Sequence, residues 1–193
     1  MQPSSPGCRW EAHGIFSLPL YDQAACSAIL QGAREVGFWS AAAVGREDAA
    51  RVDHDVRVAY NLDPCRGAAL HRRFERAVLR AVVPLLQKEW GCQLAACEGT
   101  QLIRYIAGGH YIPHSDADDG EYASRYFTVL CYLNENFTGG KTCFPSLGYS
   151  AQPAAGRAIV FPSRFLHSAE PVLAGEKLVF LTWITGPAPV RWI

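Results

Sequence analysis

Arg104-Tyr105-Ile106-Ala107-Gly108-Gly109-His110-Tyr111-Ile112-Pro113-His114-Ser115-Asp116 is the stretch whose reading decides the fold. Its last three residues set an imidazole and a carboxylate two positions apart. On a β-strand, residues i and i+2 point to one face, so an extended backbone here lets His114 and Asp116 converge on one point. A lone His-x-Asp also has a plainer reading, a turn histidine hydrogen-bonded to a nearby carboxylate. The ordered context downstream decides between the two.

Two protein ligands do not make a useful iron site. The C-terminal half offers a third in His167, within Arg164-Phe165-Leu166-His167-Ser168, a segment that leads into a final apolar strand. Two histidines and one carboxylate form the facial triad that leaves open positions on a non-haem Fe(II).

From Thr100 onward the chain reads as short alternating segments punctuated by Gly, Pro and Asn. Thr100 to Ile106 predicts a strand. Ser124 to Leu133 predicts a stronger one, with Tyr126, Thr128, Leu130 and Tyr132 on one face and Phe127, Val129, Cys131 and Leu133 on the other. Lys141 to Phe144, Arg157 to Phe161 and Lys177 to Ile184 follow, separated by turns at Asn134 to Gly140, Pro153 to Gly156 and Gly175. Roughly seven or eight short strands at this spacing predict two packed sheets, a jelly roll.

Upstream, the pattern is helical. Asp22 caps a segment in which Cys26, Ile29, Leu30 and Ala33 recur at three- and four-residue spacing, with Gly37 as its stop. Ser40 to Ala50 reads as loop or frayed helix, and Arg51 to Asn61 as an extended, charged segment whose charges are either a solvated face or the lining of a substrate groove. Asp63-Pro64 predicts a second helix start, running to Gly91 with a break at Pro84. His71 reads as a surface residue on that helix. The fold class expected is α+β, a jelly-roll core over about 100–185 braced by helices over about 15–95, in one domain spanning 1–193.

Composition sets outer bounds. The chain has 193 residues, 49% of them hydrophobic and 19% charged, as in ordinary globular proteins. Eighteen basic residues balance 18 acidic ones, which disfavours nucleic acid as a partner. No apolar run approaches the length of about 18 residues that a membrane span needs, and the first residues lack the pattern of a secretory signal. The seven cysteines are odd in number and contain no Cys-x-x-Cys pair, so reduced thiols in a cytoplasmic setting are expected. Cys131 and Cys143 are expected to pack as small hydrophobes.

A graded set of motifs then lines up in order. Tyr105 to Asp116 is followed by Thr128-Val129-Leu130-Cys131-Tyr132-Leu133-Asn134, Gly139-Gly140-Lys141-Thr142-Cys143-Phe144-Pro145, Pro153 to Phe161, His167-Ser168-Ala169-Glu170-Pro171-Val172, Gly175-Glu176-Lys177 and Thr182-Trp183. Over about residues 100–184 the chain resembles the Fe(II)- and 2-oxoglutarate-dependent oxygenases, specifically the prolyl 4-hydroxylase-like group. The resemblance implies a double-stranded β-helix with His114, Asp116 and His167 as iron ligands. It implies Lys177 as the cation for the distal carboxylate of 2-oxoglutarate, and Tyr105, Tyr132, Thr128 and Trp183 as further co-substrate contacts. For these last four, core packing is an equal reading. Tyr111 is expected to wall the substrate mouth. Fe(II), 2-oxoglutarate and O2 are the implied cofactor and co-substrates, with ascorbate as an auxiliary reductant.

The activity implied is oxidative decarboxylation to succinate and CO2 coupled to hydroxylation of an unactivated C–H bond. Asp116 is the ligand that related halogenases lack, so its presence implies hydroxylation. The substrate expected is a prolyl residue in a protein or peptide, or alternatively a free amino acid or other small molecule. Lys141 and Ser168 depart from the group's usual residues after the Gly-Gly pair and the distal histidine. Two readings of other kinds stand beside this one. A non-catalytic 2-oxoglutarate-binding sensor is disfavoured because all three ligands and Lys177 are kept, and nucleic-acid demethylation because the net charge is zero.

Overall fold

The computed structural model of the chain describes residues 7–45, 50–94 and 96–186. Its first elements are strands, β1 (Arg9–Ala12) and β2 (Ile15–Pro19), paired antiparallel across His13-Gly14. The sequence predicts helical support from about residue 15, and β2 is strand instead. The signal for a hairpin is Gly14, held at φ 72° between two short runs of which the second, Ile15-Phe16-Ser17-Leu18, is fully buried.

Helix α1 (Gln23–Val36) forms as read: the Asp22 side chain accepts the Ala25 N–H, and Gly37 ends the helix at φ 66°. Three short strands follow, β3 (Trp39–Ala41), β4 (Arg57–Val58) and β5 (Tyr60–Leu62). The Ser40 segment therefore begins as strand rather than frayed helix, while residues 46–49 of it lie outside the described residues. Val44 and Arg51 pair across that gap.

The second helix starts later than Asp63-Pro64 suggests. Asp63 caps a turn instead, accepting the Arg66 N–H at 2.8 Å, and α2 runs over Ala68–Ala81. Pro84 breaks the helix as expected: α3 covers Val83–Trp90 and closes at Gly91 with φ 63°. His71 is not on the surface. It sits on the inner face of α2, buried edge-on to Phe180.

The rest of the chain is strand: β6 (Ala96–Tyr105), β7 (His110–His114), β8 (Arg125–Tyr132), β9 (Thr138–Gly139), β10 (Thr142–Phe144), β11 (Tyr149–Ala151), β12 (Arg157–Pro162), β13 (His167–Ala169), β14 (Val172–Ala174) and β15 (Lys177–Thr185). An eight-stranded sheet has the order β1-β2-β12-β8-β15-β6-β5-β3, and a five-stranded sheet the order β11-β10-β13-β7-β4.

Period-two alternation on β8, β15 and β6 divides the apolar residues between two layers. Phe127, Val129, Cys131, Phe180, Ile184 and Leu102 face the helices, where they meet Ile29, Ala33, Phe74 and Val78. Leu130, Tyr132, Val179, Leu181, Trp183, Ile103 and Tyr105 face the smaller sheet and pack with Phe144, Ala151 and Phe161. The central strands are thus buried on both sides, which is why their sequences read as nearly continuous apolar runs. Cys131 packs in the core, but Cys143 does not: its thiol lies 2.9 Å from a Glu170 oxygen and 3.1 Å from the Ser150 hydroxyl. Among the described residues no helix is long and apolar enough to cross a membrane.

The helical layer depends on the stacked pair Phe74–Phe180, with ring centroids 4.6 Å apart and planes 7° from parallel. Phe74→Ala is expected to lower unfolding stability by about 3–5 kcal/mol, the usual penalty for emptying a core aromatic site. Urea denaturation of the two proteins checks this; a loss under about 1 kcal/mol would mean that α2 is not packed on the sheet as described.

Candidate metal centre

β13 pairs antiparallel with β7 so that His167 lies directly opposite His114. The two ring centroids are 4.3 Å apart. Asp116 joins them by a different route from the one its spacing suggests, because β7 ends at His114. The Asp116 and Ala117 amides both donate to the Ser163 carbonyl, at 2.9 and 3.2 Å, and this clip turns the carboxylate toward the two imidazoles. Asp116 Oδ1 is 3.6 Å from His114 Nε2, and Oδ2 is 3.4 Å from His167 Nε2.

Those distances are long for hydrogen bonds but suit donors arranged around a shared ion. One ligand atom from each of the three residues lies within 4.8 Å of the others. The ring tautomers agree. His114 Nδ1 is 2.8 Å from the Ile112 carbonyl and His167 Nδ1 2.9 Å from the Phe165 carbonyl. A carbonyl only accepts, so each Nδ1 carries the proton and each Nε2 presents a lone pair inward.

The electrostatics favour the same protonation states. Burial, with His167 alongside, pushes His114 down to about 4, so its ring is neutral near pH 7. Burial alone would raise the Asp116 carboxyl, but the imidazoles and the Thr128 hydroxyl outweigh it and hold the group below its ordinary value. Two imidazoles and a carboxylate form a donor set that an Fe(II) ion fits.

These three residues open into a cavity of about 470 Å³, within the range of small-molecule sites. Lys177, at the start of β15, lines it and is 1% exposed. Its Nζ donates to the Gly140 carbonyl at 2.7 Å and lies 4.7 Å from the Tyr105 ring centroid. Among the described residues no carboxylate lies within ion-pair distance of it. Burial accordingly pushes this lysine down to about 7.

Of the other expected contacts, Tyr105, Tyr111 and Trp183 line the cavity and Thr128 and Tyr132 do not. The Thr128 hydroxyl donates to Asp116 Oδ2 at 2.7 Å and sits 3.0 Å from the Ser163 hydroxyl, so it positions the carboxylate rather than reaching a co-substrate. The Tyr132 hydroxyl is 2.8 Å from that of Thr142, and it is Thr142 that faces the cavity beside Lys177. Tyr111 stacks on His114 with centroids 3.5 Å apart. The indole of Trp183 carries the Arg125 guanidinium 3.7 Å above its ring, and Gly99 lies so close that a methyl group there would strike it.

Sequence reading missed Thr142 and Arg125; Arg57 stood among the charges of the Arg51 to Asn61 segment, read as either a solvated face or the lining of a substrate groove, and it lines the cavity. Thr142 lies inside a quoted motif and differs from its neighbours only in facing inward. Arg125 is a charged residue that sequence alone assigns to solvent.

A profile of the 2OG-Fe(II) oxygenase superfamily matches residues 100–185, the segment that carries His114, Asp116, His167 and Lys177. The chain is 30% identical over 129 residues to prolyl 4-hydroxylase subunit alpha-1 of Bos taurus, covering 58% of this chain. Over residues 100–185 the chain is similar to the 2OG-Fe(II) oxygenases, and its curated relatives point to their prolyl 4-hydroxylase-like group. It spans 24% of the length of that bovine oxygenase subunit.

Solved structures of the group agree in fold. A Pseudomonas putida prolyl-4-hydroxylase superposes with a TM-score of 0.68 at 17% identity, covering 91% of this chain and 94% of that one. A Trichoplax adhaerens prolyl hydroxylase in complex with a hypoxia inducible factor peptide fragment gives 0.65 at 19% identity, covering 89% and 83%. The cofactor and co-substrates of a 2-oxoglutarate-dependent dioxygenase are Fe(II), 2-oxoglutarate and O2, and the donor set above fits the metal.

Thr128→Val keeps the shape of the side chain and removes its hydrogen bond to Asp116. It is expected to weaken Fe(II) binding by about 10- to 100-fold, as loss of a partner that orients a metal ligand does elsewhere. Anaerobic titration with Fe(II), or with Co(II) followed by its visible spectrum, measures this directly; unchanged affinity would leave Thr128 a packing residue only.

Proposed function

We propose that this chain is a catalytic domain spanning 1–193 that hydroxylates an unactivated C–H bond, with His114, Asp116 and His167 holding Fe(II) and Lys177 anchoring 2-oxoglutarate. The observation that carries the reading is the meeting, in one cavity, of three inward-facing ligand atoms and a buried lysine without a counter-ion among the described residues. A buried cation of this kind is stable only with an anion beside it, and 2-oxoglutarate offers a carboxylate at the far end of the molecule from its metal-chelating end. The Thr142 hydroxyl and the Tyr105 ring complete that subsite, and Tyr132 acts through Thr142.

Bound iron supplies the activation of O2 and the oxidative decarboxylation of 2-oxoglutarate. The chain's own residues hold, orient and enclose. Thr128 and Ser163 fix Asp116, the Ile112 and Phe165 carbonyls fix the two imidazoles, and the apolar walls Leu130 and Leu181 limit water.

Two further parts of the reading have specific support. The two packed sheets, with the metal residues at one open end, are read as a double-stranded β-helix, consistent with their strand order. A prolyl residue in a protein or peptide is the substrate class favoured by the relatives' names, prolyl 4-hydroxylase for the bovine subunit and a peptide complex for the Trichoplax enzyme. The free state of all seven cysteines supports a reducing, cytoplasmic setting.

Anaerobic addition of Fe(II) and 2-oxoglutarate should give a weak visible charge-transfer band, and exposure to O2 should then release succinate. A protein that shows neither refutes the proposal. Lys177→Met should retain Fe(II) and weaken 2-oxoglutarate by about a hundredfold or more, as loss of one partner of a buried pair costs about 3 kcal/mol.

A pH dependence follows from the depressed lysine. Below about 7 Lys177 is already charged and ready for the carboxylate. Above about 7 the free protein has lost this proton, and binding must take one up. The affinity for 2-oxoglutarate should therefore fall by up to about tenfold per pH unit above neutrality, and this slope should vanish in Lys177→Met. Calorimetric titration from pH 6 to 9 reads it.

A further inference from the structure

Three basic side chains reach the cavity that holds the proposed iron and 2-oxoglutarate sites, and two of them are accounted for. Arg125 is neutralised by Glu98, with two of its nitrogens at 2.6 and 2.7 Å from one carboxylate oxygen. Lys177 faces the subsite assigned to 2-oxoglutarate. The third is Arg57, 7% exposed, on β4 at the edge of the smaller sheet.

The partners of Arg57 do not match its capacity. A guanidinium carries five N–H donors in a plane. The Nε of Arg57 is fully buried with no hydrogen-bond partner, and Nη1 makes only a long contact of 3.4 Å to the Ala43 carbonyl. Its face lies over the Tyr111 ring at 4.9 Å, and the Tyr105 hydroxyl takes a further hydrogen bond from it, so its partners among the described residues are neutral oxygens and a ring. Among the described residues no carboxylate lies within ion-pair distance of it.

The acids of the cavity are committed elsewhere. Asp116 serves the two imidazoles and Thr128, and Asp118 turns its carboxylate onto the amides of Gly120 and Tyr122. With iron and co-substrate bound, the two negative charges of 2-oxoglutarate and that of Asp116 balance the ferrous ion and Lys177. Among the described residues lining the cavity, Arg57 is then the cation with no carboxylate at ion-pair distance. Its position is also telling: the guanidinium packs on the Tyr111 ring, and that ring stacks on His114, a proposed iron ligand.

We propose that Arg57 determines specificity by binding a carboxylate of the primary substrate, held about one residue from the carbon that is hydroxylated. This rests on the catalytic reading given under Proposed function. A peptide carbonyl could occupy the donors but would leave the buried charge unpaired, whereas a carboxylate meets both. The carboxylate has two sources of the same chemistry, the α-carboxyl of a free or C-terminal residue and the side chain of an Asp or Glu next to the reacting residue.

The test uses wild-type protein loaded anaerobically with Fe(II) and 2-oxoglutarate, with the charge-transfer band as the signal. N-acetyl-L-proline is compared with N-acetyl-L-prolinamide, and acetyl-Pro-Glu-amide with acetyl-Pro-Gln-amide. At least one acid is expected to perturb the band with about tenfold or greater preference over its amide, as a charge-assisted pair provides. A preference within the first pair identifies an α-carboxyl, and within the second a side chain. In Arg57→Gln the preference should collapse to about one, and Arg57→Lys should restore part of it.

If the band forms but each acid binds no better than its amide, or if no acid binds, the proposal is overturned; the same holds if the preference survives Arg57→Gln. The wild-type comparison stands even where a variant fails to fold. Absence of the band itself, before any probe is added, is a different result: it removes the catalytic reading and this inference with it.

Discussion

The register between β7 and β13 is the constraint on which the chemistry depends. It sets His167 against His114, and a slip of one residue would send one imidazole to the opposite face of the sheet. Two backbone clips hold that register from outside the pair. Gly108 and Gly109 exchange hydrogen bonds with Val172 just beyond β13, at 2.8 and 2.9 Å, and Ser163 receives the amides of Asp116 and Ala117. Gly109 has no room for a side chain, because a methyl group there would lie 2.8 Å from the Ile106 carbonyl. The glycine pair that opens the ligand segment therefore serves the metal residues by permitting a close backbone approach.

The helices contribute to this only indirectly, and that division of labour explains the two-layered core. Phe74, Val78 and Ile29 cover one face of the large sheet, which frees its other face to form the cavity wall. Strand β15 shows the consequence within a single element. Phe180 and Ile184 anchor it to the helices, while Lys177, Leu181 and Trp183 point into the cavity. Rigid support on one side is what lets the other side hold groups that would not pack by themselves.

What was legible in the sequence was what spacing and side-chain type determine. His114, Asp116, His167 and Lys177 stand in order on or just beyond strands, and they meet in the structure. Thr128 and Tyr132 were placed on the correct face of β8, but a period of two does not say which neighbour a hydroxyl will reach. That neighbour is set by Thr142 on β10 and by Ser163 in the turn after β12. His71 failed for the opposite reason, and Arg57 was left open between solvent and groove. Charged or polar residues among other charges read as solvated, and only tertiary packing of α2 on the sheet and of β4 on β7 buries them. The hairpin β1–β2 is too short to carry a clear pattern and is recruited by pairing with β12.

The buried charges make the folded chain and its ligands interdependent. Lys177 and Arg57 both lie in low-dielectric surroundings without carboxylate partners among the described residues, so each destabilises the ligand-free fold. For Lys177 the sign is definite. Its folded value is depressed below that of an unfolded lysine, so the unfolded chain holds more protons between about 7 and the ordinary lysine range, and the ligand-free fold gains stability as pH rises through that window. An anion bound at the lysine reverses the sign by restoring the charged form. The two apolar layers supply the stability that this arrangement consumes, and ligands that neutralise the cations return it. A cavity built this way selects its ligands by charge before shape, because an uncharged molecule of the same size would leave the same cations unpaired.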